Sequence, residues 1–341
     1  MNIPTQNIEL FRALLNGSKR VAILSHTNPD GDALGSSLAL AEVLRTKGHT
    51  VNCIVPNRYP YYLKWIPDLE QTLVHSLDEE HRCEQIIAEA ELIICADMSA
   101  LSRLEGLSAV IAANTSAKRV LIDHHLSPEE GFDVMFSFPE ASSTAFVVYN
   151  LLEALYGKEV FTQKIATQLY VGMITDTGNF AFSALTPELF RAVATLCETG
   201  IDIPTIYNNV YNSFTEGRAR LFGYVINRKM KTLNKGTVAY MSLTEEEMRR
   251  FWFQQGDNEG FVNYPLTIKK MRMSAMFTEQ HGFIRVSLRS RGEVDVNTFA
   301  RRYFNGGGHK NAAGGKSFTS MDETIRHYIA SVEEYHAEGL V

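Results

Sequence analysis

The 341-residue chain is 45% hydrophobic and 21% charged, the balance of a soluble globular protein long enough for two domains. No apolar run approaches the roughly 20 residues of a membrane span, and no basic start followed by an apolar core opens the chain. Cys53, Cys83, Cys95 and Cys197 lack paired spacing, which argues against a disulfide framework or a zinc–thiolate site and makes a cytoplasmic location the expectation. Charge is unevenly spread: residues 1–220 hold 16 Lys and Arg against 26 Asp and Glu, residues 221–341 hold 17 against 13, so −10 and +4 add to the net −6. An acidic half that holds cations beside a basic half that receives an anion fits this division, as does chance drift of surface charge.

The first strong signal is Val21–Leu24, a short apolar run that feeds Ser25-His26-Thr27-Asn28-Pro29-Asp30-Gly31-Asp32 and then a helical stretch over 34–47. A buried strand delivers one imidazole and two carboxylates into a tight turn shaped by Pro29 and Gly31. Carboxylates that close repel and raise one another's pKa, a cost that a divalent cation removes. Mixed His/Asp ligation suits manganese. A turn with an Asp helix cap and a surface histidine is the plainer alternative.

Gly48 stops that helix, and 49–55 reads as a second strand, followed by a helix over 81–90. Two apolar runs then end in polar residues: 92–96 ends in Asp97, and 120–122 ends in Asp123-His124-His125. Apolar runs alternating with helical segments predict βαβ units and a parallel sheet buried on both faces. Ligands collect at the carboxyl ends of such strands, and His26, Asp97 and the Asp123 triplet all stand there. Helices are expected over 142–157 and 162–174, the second running into Asp176 in a glycine-containing turn, and over 187–198. The stretch 200–216, with Pro204 and a Tyr/Asn-rich patch, reads as a linker between a domain at 1–199 and another at 217–341.

The second half has a β rhythm. Strands are expected at 237–243, 271–278 and 283–289, the last two as a hairpin, with a helix over 296–304. The run Gly306-Gly307-Gly308-His309-Lys310-Asn311-Ala312-Ala313-Gly314-Gly315 follows, then a strand near 316–319 and a helix over 321–336. Uncovered backbone amides make such a run a candidate phosphate nest. It is neither a Walker loop, which would need Gly at position 310, nor a dinucleotide fingerprint, which would need Gly or Ala at 311.

Four separated motifs thus offer metal ligands: His26/Asp30/Asp32, Asp97, Asp123/His124/His125 and Asp176. Two ions need a bridging carboxylate, for which Asp97 is the natural candidate. Water between them loses a proton near neutral pH and can attack phosphorus in line. These motifs resemble the DHH phosphoesterase family, and the glycine run resembles the signature of its associated C-terminal domain. The likeness covers nearly the whole chain, and in length and layout it is similar to the family's nanoRNase branch.

The resemblance implies an α/β fold: a parallel-sheet domain, a smaller mixed α/β domain and an active site in the interdomain cleft. It places His26, Asp30 and Asp97 on one manganese ion, and Asp32, Asp97, His124 and Asp176 on the other. Asp123 would orient a histidine, and His125 would position the scissile phosphate or protonate the leaving oxygen. His309, with Gly307 and Gly308, would clamp the substrate's terminal phosphate, joined by Arg289. Taken singly, Asp123 also reads as a strand-end cap, His125 as a core histidine and Arg289 as a solvated charge. Tyr264 and Phe304 read as core before base-stacking residues, and Arg301-Arg302 as a solvated helix face. The expected activity is hydrolysis of very short oligoribonucleotides to nucleoside 5′-monophosphates, and of 3′-phosphoadenosine 5′-phosphate to AMP. The expected partners are those RNAs and nucleotides and no membrane, with a homodimer open to the chain. Linear or cyclic dinucleotides, or polyphosphate and pyrophosphate, are alternative substrates; a nucleotide sensor without turnover is the non-enzyme alternative.

Overall fold

Strands rich in Val, Ile and Leu organise the first part of a computed structural model that describes residues 1, 3–182 and 184–341. It divides into two units, Met1–Ser213 and Phe214–Val341. After α1 (Thr5–Leu14), the first unit runs β1 (Arg20–Leu24), α2 (Gly31–Thr46), β2 (Thr50–Val55), β3 (Leu73–Val74), α3 (Arg82–Glu89), β4 (Leu92–Ala96), α4 (Leu107–Ala113), β5 (Lys118–Asp123) and β6 (Val134–Ser137). The six strands form one sheet in the order β3-β2-β1-β4-β5-β6, and every pair is parallel. β1 from Val21 onward and all of β4 are buried, as expected of strands covered on both faces. One face packs on α3 and α4 through Cys83, Ile87, Leu107 and Ile111.

The chain then forms α5 (Thr144–Tyr156), α6 (Gln163–Asp176), α7 (Pro187–Glu198) and α8 (Ile203–Tyr211). α2 is buried along nearly its whole length because α6 lies against it, and two glycines permit the approach. A Cβ on Gly35 would run into the Gln168 carbonyl oxygen, and one on Gly172 would sit 2.5 Å from Ala145 Cβ and 2.8 Å from Asp32 Oδ1. Gly31 serves the same contact, since its Cβ would lie 2.5 Å from Thr175 Oγ1. Its value is space, not the turn-shaping freedom that the local sequence suggests.

Residues 203–211, read as linker, are helical: Asp202 caps α8 by accepting from Thr205 N at 3.1 Å. Pro204 lies in the first turn, where its missing N–H costs nothing. Likewise α6 continues through Asp176, so that this carboxylate ends a helix and the turn begins after it.

The second unit comprises α9 (Glu216–Tyr224), β7 (Lys231–Leu233), β8 (Val238–Leu243), α10 (Glu245–Arg250), β9 (Met273–Gln280), β10 (Phe283–Ser290), α11 (Val296–Tyr303), β11 (Gly307–His309), β12 (Ala312–Ser317) and α12 (Met321–Ala337). Its sheet order is β11-β12-β10-β9-β8-β7, with β8 and β9 parallel and every other pair antiparallel. Phe277, Phe299, Phe304 and Tyr328 fill the core between sheet and helices. Tyr264 differs from its core reading: it is 43% exposed, its ring standing edge-on to Phe222 at 5.0 Å. Arg302 is tied to Glu338 at 2.8 Å, so its helix face is braced by α12. Among the described residues no helix is long and apolar enough to cross a membrane.

The glycine run is not an open loop. β11 and β12 form an antiparallel hairpin with Gly307 opposite Gly314 and His309 opposite Ala312. The glycines are needed for close packing: a Cβ on Gly306 would strike the Gly314 carbonyl oxygen, and one on Gly315 would lie 2.5 Å from the Phe304 oxygen. With so few side chains, the segment lacks the apolar alternation that signals a strand.

Candidate metal centre

The strand order reverses between β1 and β4, and ligands of parallel sheets bind at the carboxyl ends beside such a reversal. His26 follows β1, Asp97 follows β4, and Asp123 ends β5 with His124 and His125 behind it. Three elements thereby deliver donors to one rim.

The loop after β1 is pinned at several points. Asn28 and Asn57 pair through both side chains, Asn57 Nδ2 donating to Asn28 Oδ1 at 2.9 Å while Asn57 Oδ1 accepts from Asn28 N at 2.6 Å. Thr27 donates N–H and Oγ1–H to the Arg103 carbonyl at 3.0 and 2.9 Å. Asp30 is both turn residue and helix cap: one carboxylate oxygen, Oδ1, accepts from Asp32 N and Ala33 N at 3.0 and 3.1 Å, and the residue still offers a ligand atom beside His26 and Asp97. The capped-turn reading and the ligand reading are therefore compatible at the same residue.

Asp97, 2% exposed, is the hub. His26 Nε2 lies 3.4 Å from its Oδ2, and His124 Nε2 and His125 Nδ1 each lie 3.7 Å from its Oδ1. Its backbone is left-handed, with φ 59°, a conformation that Asp and Asn tolerate better than most residues. His26, Asp30 and Asp97 offer ligand atoms all within 4.8 Å of one another, and so do Asp32, Asp97 and His124, and Asp97, Asp123 and His125. Asp176 joins through His124, its Oδ2 3.1 Å from Nε2.

The imidazoles are oriented by main chain. His26 Nδ1 lies 2.9 Å from the Thr27 carbonyl and His124 Nδ1 3.3 Å from that of Ala141. A carbonyl only accepts, so each Nδ1 carries a proton and each Nε2 is the ring nitrogen turned toward the carboxylates. His125 Nδ1 likewise donates to Asp123 Oδ1 at 2.7 Å.

Two contributors escape a reading of the sequence. Thr144, the first residue of α5, donates Oγ1–H to Asp97 Oδ1 at 2.9 Å and N–H to Asp32 Oδ2 at 2.6 Å, while Ala145 N donates to Asp32 Oδ1 at 2.7 Å. The positive end of α5 thus faces two buried carboxylates. Its only local signal is the Ser/Thr-rich helix start, which serves capping as well, since Ser143 Oγ accepts from Phe146 N at 3.1 Å. Arg103 is the other: its Nη1 donates to His125 Nε2 at 3.2 Å. Thr144→Val is expected to keep the fold and weaken divalent-metal affinity about tenfold, as loss of a bond that orients a ligand does. Calorimetric manganese titration checks this, and unchanged affinity would rule out the orienting role.

The cluster is electrostatically strained as a set of bare side chains. Burial, then the charges of Asp97, Asp176 and Asp30, push the Asp32 carboxyl far up despite the Ala145 N–H. Burial raises Asp176 to about 6, with Asp30 and Asp97 adding to it against the pull of His124 and His125; the side chain keeps 29% exposure, so desolvation there is partial. Burial also pushes Asp97 up, but the His26 hydrogen bond and the neighbouring imidazoles of His125, His26 and His124 outweigh it and hold it below the usual range. His124 goes up, Asp176, Asp97 and Asp123 overcoming its burial. Carboxylates and imidazoles here share protons in place of cations. Hard oxygen donors with lone-pair nitrogens, crowded within ligand distance of one another, fit divalent metal.

In the second unit, Arg289 and His309 both stand opposite Ala312, from β10 and β11 on either side of β12. Residues in one cross-strand row point to the same face, so both side chains rise from one side of the sheet. Gly308 N–H is taken by Asn297 Oδ1 at 3.0 Å, which removes it from the expected open nest.

Residues 20–173 match the DHH family, N-terminal domain, and residues 235–337 match the DHHA1 domain. The bifunctional oligoribonuclease and PAP phosphatase NrnA of Bacillus subtilis is 28% identical over 304 residues, 88% of this chain and 90% of that protein. The protein of the same name from Thermus thermophilus is 27% identical over 315 residues, 92% of this chain and 89% of its own. An exopolyphosphatase-related protein from Bacteroides fragilis has a solved structure that matches with TM-score 0.90 and 38% identity over 98% of this chain and 97% of its own.

Proposed function

Since the chain belongs to the DHH family of phosphoesterases and carries a DHHA1 domain, we propose that it is a manganese-dependent hydrolase of very short oligoribonucleotides that also dephosphorylates 3′-phosphoadenosine 5′-phosphate. The observation that carries this reading is Asp97, common to the donor groups of His26/Asp30 and of Asp32/His124, where one carboxylate can serve two cations. In it, His26, Asp30 and Asp97 hold one ion, and Asp32, Asp97, His124 and Asp176 the other. Such ions supply Lewis acidity, neutralising phosphoryl charge and acidifying water.

The side chains do the positioning. Thr144 holds one oxygen of Asp97 and, through its N–H, one of Asp32. Asp123 fixes the His125 ring through Nδ1, so that Nε2 is the atom that positions the scissile phosphate or protonates the leaving oxygen. Arg289 and His309 grip the substrate's terminal phosphate, with Gly307 and Gly308 beside them. A grip on a terminal phosphate favours short substrates, because only a chain end meets it. The named activity of the two NrnA relatives supports the substrate class.

Manganese-loaded protein is expected to convert pApA to AMP and to release phosphate from 3′-phosphoadenosine 5′-phosphate, with chelator abolishing both. The exopolyphosphatase-related relative favours polyphosphate as a second reading, so the same assay includes polyphosphate, pyrophosphate and cyclic di-AMP. Preferential turnover of any of these would overturn the oligoribonuclease assignment, and nucleotide binding without product would leave a sensor. Arg289→Ala is expected to raise KM for pApA roughly ten- to a hundredfold, the worth of a charge-assisted hydrogen bond, with kcat nearly unchanged. Unaltered KM would exclude Arg289 from the grip.

A further inference from the structure

Arg103 lies in the turn Leu101–Leu104, between β4 and α4. Its side chain and its main chain do different work. The carbonyl oxygen accepts both Thr27 N–H and Thr27 Oγ1–H, fastening the turn to the residue that follows His26. The guanidinium donates to His125 Nε2 at 3.2 Å. A guanidinium has five N–H donors and no acceptor, so this nitrogen is the bare one, and the ring proton sits on Nδ1, facing Asp123. His125 thereby has Nδ1 held by Asp123 and Nε2 covered by a permanent cation.

A neutral imidazole nitrogen offers one lone pair to a group built to make two parallel bonds. A phosphoryl group offers two charged oxygens in matching geometry, and bonds of that kind are about twice as strong. Arg103 is only half-buried, so its long side chain can change partner while its carbonyl stays on Thr27.

We propose that Arg103 is a ligand of the scissile phosphate: on substrate binding its guanidinium leaves His125 Nε2 for the non-bridging phosphoryl oxygens, stabilising their charge as the phosphorus is attacked and freeing Nε2 for the reacting centre. The inference deepens the phosphoesterase reading and rests on it. It makes Arg103 specific for the group that reacts, where Arg289 serves the far phosphate.

Arg103→Met keeps the stem and the main-chain carbonyl and removes only the charge. Against pApA with manganese it is expected to lower kcat about a hundredfold or more, with melting temperature and bound manganese as in wild type. Ethylguanidinium in the buffer should restore part of the rate, and Arg103→Lys should recover less than the added guanidinium does. A second arm titrates inorganic phosphate into the manganese-loaded proteins by calorimetry, where Arg103→Met should bind at least tenfold more weakly than wild type. A kcat within threefold of wild type, or a loss that tracks lowered melting or manganese content, would overturn the assignment. So would phosphate affinity equal to wild type. Because phosphate titration needs no turnover, wild type inactive on pApA would sink the functional reading while the binding arm still judges Arg103.

Discussion

Asp97→Asn is expected to lower pApA hydrolysis on the order of a thousandfold or more while the protein stays folded. Asparagine matches the buried shape and accepts the left-handed backbone at φ 59°, so neither packing nor strain should change. Its amide oxygen can still accept from Thr144, which now bonds Oδ1 at 2.9 Å. What is lost is the negative charge between His26, His124 and His125 and the second anionic oxygen through which one residue could serve two cations. The substitution also removes a like charge that helps push Asp32 and Asp176 upward, so thermal melting without metal should move by only a few degrees. Added manganese, which should raise the wild-type melting temperature by mass action, should raise the variant's far less. Steady-state rates and melting curves with and without manganese check both halves. Activity above a tenth of wild type would reject the shared-carboxylate assignment.

The second large effect is expected at a packing contact between two helix backbones. Gly35→Ala places a methyl group against the Gln168 carbonyl oxygen and 3.1 Å from Gly172 N. These are helix backbone atoms, which cannot swing aside, so α2 and α6 must separate. Overpacking of this kind costs about 1–3 kcal/mol, or a fall in melting temperature of roughly 3–10 °C for a unit of this size. Because α2 starts with the Asp30–Asp32 turn and α6 ends at Asp176, the separation should also lower manganese affinity. Gly106→Ala is the control: an added Cβ meets nothing within 4 Å, and its φ of −59° suits any residue. Equal melting of the two variants would refute the close-packing account.

Much of this site was legible locally because each group of donors ends an apolar run. In a parallel sheet the carboxyl ends of strands lie on one edge, so the sequence alone groups His26, Asp97 and the Asp123–His125 triplet. Asp176 was legible as a polar break after a helix, although the helix runs one turn-start further than its sequence suggests. Arg103, Asn57 and Thr144 were not legible. Each sits in an unremarkable local context, and what matters is a partner 22 to 76 positions away: Arg103 with His125 and Thr27, Asn57 with Asn28, Thr144 with Asp97.

The segments read differently share a cause. Pro204 and the Tyr/Asn patch signal a loop, but proline in a first helical turn is as favourable as in a linker. Glycines 306–308 and 314–315 signal freedom, but at 306, 308 and 315 a Cβ would strike the backbone of β12 or of Phe304 after α11, so there glycine serves close packing. Composition records what a residue permits, and the neighbours select among the permitted states. The order of strands and helices, and the donors at their ends, follow from apolar periodicity, which is a local property of the chain. The tautomers of His26, His124 and His125, the strain among the buried carboxylates and the hold of Thr144 and Arg103 come only with tertiary structure, because hydrogen bonds and desolvation depend on distance in space.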